Sequence, residues 1–456
     1  MTDMAQRNTD PIVKRALVIG GGVAGIRATL DIADGGYEAV LVEKTPSIGG
    51  HMIQISETFP TLDCPQCIET PWMVECGQHP NIRIMGYSEV TRVTGEVGHF
   101  CVTVKRKASY VDWDRCTGCD ACSKVCPVAW HAPFERGVAR MPAIYKPFAQ
   151  AVPNKVVIEK SVCCECMRCV SACEQQAIDH GMVDRYEDID VGAVVVATGY
   201  ELLPVARVPE FEDDPDVIDG LQFERILCPS GPSAGVIYKP SAYQKKKRPF
   251  QPPVETQPKD VVFISCVGSR DPAHGLPYCS RVCCMYLAKM AMLYKHAVPQ
   301  GRATVFYMDI RAAGKGYEAF VQRVVEENDV VYLRGRVSRV FRDGDRIAVW
   351  GMDTLAGKRV EIAADLVVLG TAMVPSPGSR DLAETLGIET DAWGFMQEAH
   401  LKFRPFESSA PGIFLAGTIQ GPRDIPDCVA HASSAAGQVL ALFARDGAMR
   451  EEAAGD

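Results

Sequence analysis

Arg15-Ala16-Leu17-Val18-Ile19-Gly20-Gly21-Gly22-Val23-Ala24-Gly25 decides how the chain begins to fold. The apolar run Arg15 to Gly20 reads as a short buried parallel strand. Gly20 to Gly25 matches G-x-G-x-x-G, and Val23 to Ala33 reads as the helix that follows. Glu38 to Glu43 is a second strand that ends on an acid. Gly20 makes the tight turn, Gly22 lets a pyrophosphate approach the backbone, and Gly25 lets the helix pack on the strand. The helix start at Val23 and Ala24 offers N–H donors and a positive dipole end to phosphates. Glu43, followed by Lys44, stands where ribose hydroxyls are held. Strand, helix, second strand and acid in register point to a bound dinucleotide rather than a bare glycine turn.

Further out, Ser47-Ile48-Gly49-Gly50-His51 follows the acid. Such a Gly-Gly pair is typical of flavoproteins, where the loop lies along FAD. Val194 to Val196 leads into Ala197-Thr198-Gly199. Gly412 to Gly417 is another strand closing on glycine, with a helix expected beyond Pro426. Together these pieces resemble the discontinuous FAD domain of the thioredoxin reductase type. That type has an aspartate after its C-terminal Ala-Gly. Thr418 holds the position here, so Gly417, Asp424 and Ile425, with Asp427 nearby, are the expected contacts.

Between the second strand and the Ala-Thr-Gly strand lie two four-cysteine runs. Cys116, Cys119, Cys122 and Cys126 form the first; Cys163, Cys166, Cys169 and Cys173 form the second. Both follow the bacterial ferredoxin spacing, in which the fourth cysteine ligates the other cluster. Cys116, Cys119, Cys122 and Cys173 are therefore assigned to one [4Fe-4S] cluster. Cys163, Cys166, Cys169 and Cys126 are assigned to the other, with Cys164 an alternative to Cys163. Zinc favours two pairs of ligands rather than two overlapping fours. Ala143 to Pro153 is expected to be a covering loop that keeps water from the clusters. Cys228 to Asp260, with Lys245-Lys246-Lys247-Arg248, reads as a solvated linker.

A second α/β unit starts at Val261 to Ser265. It meets Cys266-Val267-Gly268-Ser269-Arg270-Asp271, with one glycine where a nucleotide site needs several. Cys279, Cys283 and Cys284 follow. These four cysteines are expected to hold a third, non-standard [4Fe-4S] cluster in place of a nicotinamide site; a buried thiol group or a redox disulfide is the alternative. Cys64-Pro65-Gln66-Cys67 and Cys76 are a redox dithiol, metal ligands or buried thiols. The chain has 19 cysteines in 456 residues, and ligand-type spacing favours metal over disulfides. Its net charge of -9 argues against nucleic acid or an anionic membrane as the main partner. The polar first ten residues and the lack of a membrane-length apolar run suggest a cytoplasmic protein.

The chain resembles the HdrA family, the A-type iron–sulfur flavoprotein subunits of heterodisulfide reductase, over nearly its whole length. Phe59-Pro60-Thr61-Leu62-Asp63-Cys64, Cys116 to Val128, Cys266 to Asp271, Tyr278 to Tyr286, Phe306 to Arg311 and Gly421 to Asp427 carry the resemblance. It implies an α/β fold: a thioredoxin-reductase-like flavoprotein with two dinucleotide-binding domains and an inserted α+β 2[4Fe-4S] ferredoxin domain. The expected organisation is an FAD-binding domain over 1–110, 186–258 with a linker, and 386–456. The insert spans 111–185, and a unit with a degenerate nucleotide site spans 259–385. Longer relatives carry N-terminal and C-terminal extensions, so this chain is expected to be a shortened form.

The resemblance also implies an oxidoreductase that passes electrons between FAD and [4Fe-4S] clusters, by bifurcation or confurcation with ferredoxin. Lys289 matches a family lysine beside the flavin and is the expected catalytic residue. Implied partners are B- and C-type subunits of a heterodisulfide-reductase-like complex, electron-input subunits linked to hydrogenase, formate dehydrogenase or NADH, ferredoxin, and a second copy in a homodimer. The other readings are a non-bifurcating relay and assembly component, or an NAD(P)H-dependent enzyme resembling the small subunits of glutamate synthase.

Overall fold

The computed structural model describes residues 11–243, 252, 254–272 and 276–454. The first ten residues and the basic run at 245–248 lie outside them. The strand Arg15–Ile19 runs parallel between Glu38–Val42 and Ala193–Val196, with Val18 opposite Leu41 and Val195. Ile82–Met85 and Ile413–Leu415 extend the sheet in parallel, and the hairpin Glu398–His400/Arg404–Ser408 adds an antiparallel edge. Ala193 to Val196 are fully buried, as expected of a parallel strand covered on both faces. The helices Val23–Asp34 and Ile425–Ala454 cover one face. A three-stranded antiparallel sheet, Ser88–Glu96, His99–Arg106 and Arg185–Val191, covers the other.

The second unit repeats this plan. Asp260–Val267 lies parallel between Arg302–Tyr307 and Leu366–Thr371. A meander of Val337–Asp343, Arg346–Asp353 and Lys358–Ala364 covers one face. The helices Gly220–Leu227, Cys283–Ala297 and Tyr317–Glu327 cover the other. Val217–Asp219 forms an edge strand of this sheet, although its sequence position within 186–258 suggests the first domain. The linker expectation also needs correction. Cys228, Ile237 and Tyr238 are buried, and the Tyr238 hydroxyl donates to Val138 O at 2.9 Å.

The cysteine-rich insert leaves the three-stranded sheet at Arg106 and re-enters at Arg185, residues paired directly across it. That adjacency lets a long insertion leave the register undisturbed. Ala143 to Pro153, expected to cover the clusters, also builds the insert and the cleft wall. Ile144–Tyr145 pairs with Val157–Ile158, while Pro147 and Phe148 face the cleft described next. The closing helix expected over Val429 to Ala444 begins earlier, at Ile425. Among the described residues no helix is long and apolar enough to cross a membrane.

Candidate functional site: a dinucleotide cleft beside three cysteine groups

A cleft of about 940 Å³ opens at the carboxyl end of Arg15–Ile19, at the upper end of the range usual for ligand sites. Sequence dictates its floor. Gly20 has φ +106°, and a Cβ there would meet Ala197 O at 2.4 Å. A Cβ on Gly25 would lie 1.7 Å from Gly20 O, so strand and helix meet only through glycine. Gly22 takes the N-cap position of the helix but has no side chain to cap it. The first-turn amides therefore remain available to an anion in the cleft. The Glu43 carboxylate accepts from Gly21 N–H at 2.6 Å and from Thr45 N–H and hydroxyl, each at 2.8 Å, which fixes it in the wall.

Gly20, Gly22, Val23, Ala24, Glu43, Lys44, Gly50, His51, Ala197, Thr198, Gly199, Asp424 and Ile425 all line this cleft. Gly25, Gly49 and Gly417 stand behind the wall instead. Gly49 donates its N–H to Gly21 O at 2.7 Å, and Gly417 has φ +71° against Ala24. Thr418 lines the cleft where an aspartate is usual. Asp424 accepts from the Tyr317 hydroxyl at 2.8 Å and from Asp427 N–H at 2.9 Å, so both its oxygens are engaged. The buried hydroxyls of Thr198 and Tyr286 face the cleft without a protein partner. Orphaned donors of this kind fit a ligand rich in acceptors, as a flavin is.

The insert completes the wall with Pro133, Phe134 and Arg136. Arg136 forks onto Glu201 at 2.7 and 3.0 Å. Fully buried Arg225 pairs with Glu135 at 2.8 Å and sits 4.8 Å over the Phe134 ring. Burial drives the His51 imidazole down to about 4. Lys289 rises from the helix Cys283–Ala297 into the cleft floor. Its ammonium donates to Glu57 O at 2.6 Å and pairs with Glu224, which also accepts from Ser56 N–H at 2.9 Å and Ser56 hydroxyl at 2.7 Å. Sequence reasoning named Lys289 but missed Glu224. The available signal was Asp219-Gly220-Leu221-Gln222, a capping box announcing a helix whose apolar face carries that acid.

In the insert, the helices Ala121–Lys124 and Arg168–Ala172 repeat one design. Each follows a left-handed residue, Asp120 at φ 61° and Met167 at φ 58°. Glu165, Cys266 and Arg281 are left-handed too. Such turns direct successive N–H groups into a concavity that suits anionic iron–sulfur clusters. Backbone N–H groups already reach sulfur: Glu165 to Cys163 and Ala177 to Cys173 at 3.4 Å, Arg281 to Cys279 at 3.3 Å. Cys126 of the first run joins Cys163, Cys166 and Cys169 of the second around one small cavity. Cys164 lines it as well but is exposed, whereas Cys163 packs into the insert core. Cys116, Cys122 and Cys173 pack into the same core, and Cys119 is exposed.

The second unit brings Cys266, Cys283 and Cys284 together. Hydrogen bonds with Cys283 hold the Cys266 thiol low and bring Cys284 to about 7. The strand register breaks at Cys266, which has φ 62°. The segment bearing Cys279 is tied to this loop by Arg270 N–H to Tyr278 O at 2.9 Å and by a Ser269–Ser280 contact at 2.6 Å. No group of three or more His, Cys, Asp or Glu side chains among the described residues converges on a single-ion position. A cubane spreads its ligands around a larger body, so this does not bear on the cluster sites.

A family model for the FAD binding domain matches residues 15–57, and one for the 4Fe-4S binding domain matches 109–129. Solved thioredoxin reductases share the fold at 13% identity. The enzyme of Lactococcus lactis has a TM-score of 0.52 and covers 95% of this chain and 99% of its own. That of T. acidophilum scores 0.50, covering 94% and 98%. The chain is thus an α/β flavoprotein of the thioredoxin reductase type, with an FAD-binding domain and a 4Fe-4S motif.

Among curated relatives, the A-type subunit of the H(2):CoB-CoM heterodisulfide,ferredoxin reductase of Methanothermobacter thermautotrophicus is 46% identical over 425 residues. That alignment covers 92% of this chain and 63% of the relative, so the chain spans less than two thirds of its length. The corresponding subunit of the Ferredoxin/F(420)H(2)-dependent CoB-CoM heterodisulfide reductase of Methanosarcina acetivorans is 40% identical, covering 94% and 53%. Over the length it shares with these relatives, the chain is similar to the HdrA-type subunits of heterodisulfide reductase.

Proposed function

We propose that the chain is an oxidoreductase subunit that passes electrons between FAD in the cleft and [4Fe-4S] clusters. One observation carries the reading. The helix Cys283–Ala297 begins in the Cys266/Cys283/Cys284 group and, within two turns, presents Tyr286, Lys289 and Met290 to the cleft. Two helical turns span roughly 11 Å, so a metal at one end and a flavin at the other are close neighbours. Among the described residues the second unit offers a nicotinamide no comparable seat. Gly268, at the start of its loop, abuts the Leu203 side chain, and the next helix among the described residues starts at Cys283.

Bound flavin would supply the conversion between paired and single electrons. Lys289, neutralised by Glu224, holds a proton donor at the floor without adding net charge. The two cysteine runs hold crossed clusters, Cys126 and Cys173 each serving the other run's cluster. Cys266, Cys279, Cys283 and Cys284 hold the third. The proposed reaction is electron bifurcation or confurcation with ferredoxin, inside a complex with B- and C-type partner subunits. The ferredoxin-linked names of the relatives support this. Iron and flavin analysis of anaerobically purified chain tests the reading: about twelve irons per flavin are expected, and fewer than about eight would overturn even the two-cluster insert.

A further inference from the structure

Cys64 and Cys67 are used by neither the cleft nor the cluster groups. Cys64 is the N-cap of the helix Pro65–Gln78, where its Sγ accepts Cys67 N–H at 3.2 Å. Both cysteines are exposed, unlike Cys76 and Cys228, which pack into the interior. The Cys67 thiol is held above its ordinary value, first by its side-chain hydrogen bond with Cys64. Pro65 at the first helical position fixes that approach. Immediately before the pair, Thr58 to Asp63 forms a closed turn, with Thr58 N–H to Asp63 O at 2.9 Å and Leu62 N–H to Thr58 O at 2.8 Å. Phe59, Pro60, Thr61 and Asp63 of that turn line the cleft rim. The dithiol is therefore one residue outside the mouth of the cleft. Among the described residues no further ligand completes a single-ion site with it.

We propose that Cys64 and Cys67 form a reversible dithiol–disulfide site that exchanges with a disulfide partner at the mouth of the cleft. The Cys64 thiolate, solvated by the Cys67 N–H and the helix start, attacks one sulfur of a disulfide RSSR. A Cys64–SR bond forms and RS⁻ leaves. The Cys67 thiolate then attacks Cys64 Sγ, closing the intramolecular disulfide and expelling the second RS⁻. The protein dithiol is oxidised by two electrons, RSSR is reduced to two thiols, and the two protons pass from the cysteines to the released thiolates.

The full chain, kept anaerobic, is equilibrated in reduced and oxidised glutathione at graded ratios and trapped with iodoacetamide. The peptide covering residues 59–72 is then read by mass spectrometry. The expected result is a two-electron passage from two alkylated cysteines to one internal disulfide. Cys67→Ser should accumulate a glutathione adduct on Cys64, with iron per chain unchanged in either single serine variant. Two alkylated thiols at every ratio would overturn the proposal, as would a fall in iron on either substitution. This readout needs neither flavin nor clusters, so its failure is separable from failure of the proposed function.

Discussion

Lys289 and Glu224 form an ion pair sealed from solvent, with side chains 1% and 3% exposed, between two helices of the second unit. Removing one partner leaves the other charge buried and uncompensated, at a cost of about 3–5 kcal/mol. Lys289→Met should therefore unfold at clearly lower denaturant concentration. The double variant with Glu224→Gln should recover most of that loss. A double variant no more stable than Lys289→Met would refute the pairing.

Gly25→Ala tests the cleft floor. Its Cβ would overlap Gly20 O at 1.7 Å, and overpacking of this kind costs about 1–3 kcal/mol or more. Set against binding, that lowers FAD affinity roughly tenfold or more. Flavin retained after gel filtration is the measurement, and wild-type retention would show that the turn tolerates the methyl.

Crossed ligation has a distinct signature. Cys126→Ser should remove or convert the cluster of Cys163, Cys166 and Cys169 rather than that of its own run, costing up to about four irons. Cys163→Ser should do the same, while Cys164→Ser leaves iron unchanged. Electron paramagnetic resonance of the reduced variants distinguishes the two sites.

His51 gives a pH dependence. Its folded pKa, about 4, lies below its ordinary 6.5 because burial disfavours the charged ring. The unfolded chain then binds more protons between these values, so stability falls as pH drops from about 6.5 towards about 4, at up to about 1.4 kcal/mol per unit. His51→Gln should flatten that part of the profile in denaturation at fixed pH. An unchanged slope would assign it to other groups, such as His431, also lowered by burial.

Local signals encode most of the first domain. Strand, glycine turn and helix from Arg15 to Asp34 are specified within a few residues of one another, and each cysteine run fixes its own loop. Long-range partnerships were not legible. Glu224 meets Ser56 across 168 residues and Lys289 across 65, and no period in either segment announces the other. Val217–Asp219 is too short for its alternation to reveal which sheet it joins. Cys228 to Tyr238 is polar enough to read as linker, yet Ile237 and Tyr238 pack into the core of the second unit.

Pro133, Phe134 and Arg136 belong to the iron-binding insert but stand in the flavin cleft. Under the proposed function, loading of the insert and of the cleft is therefore expected to go together. A cell starved of iron would assemble a chain whose insert stays loose and whose cleft stays ajar, and yellow colour would fade along with brown. The check is that iron and sulfide, added to a pale preparation, should restore FAD retention as well as iron content.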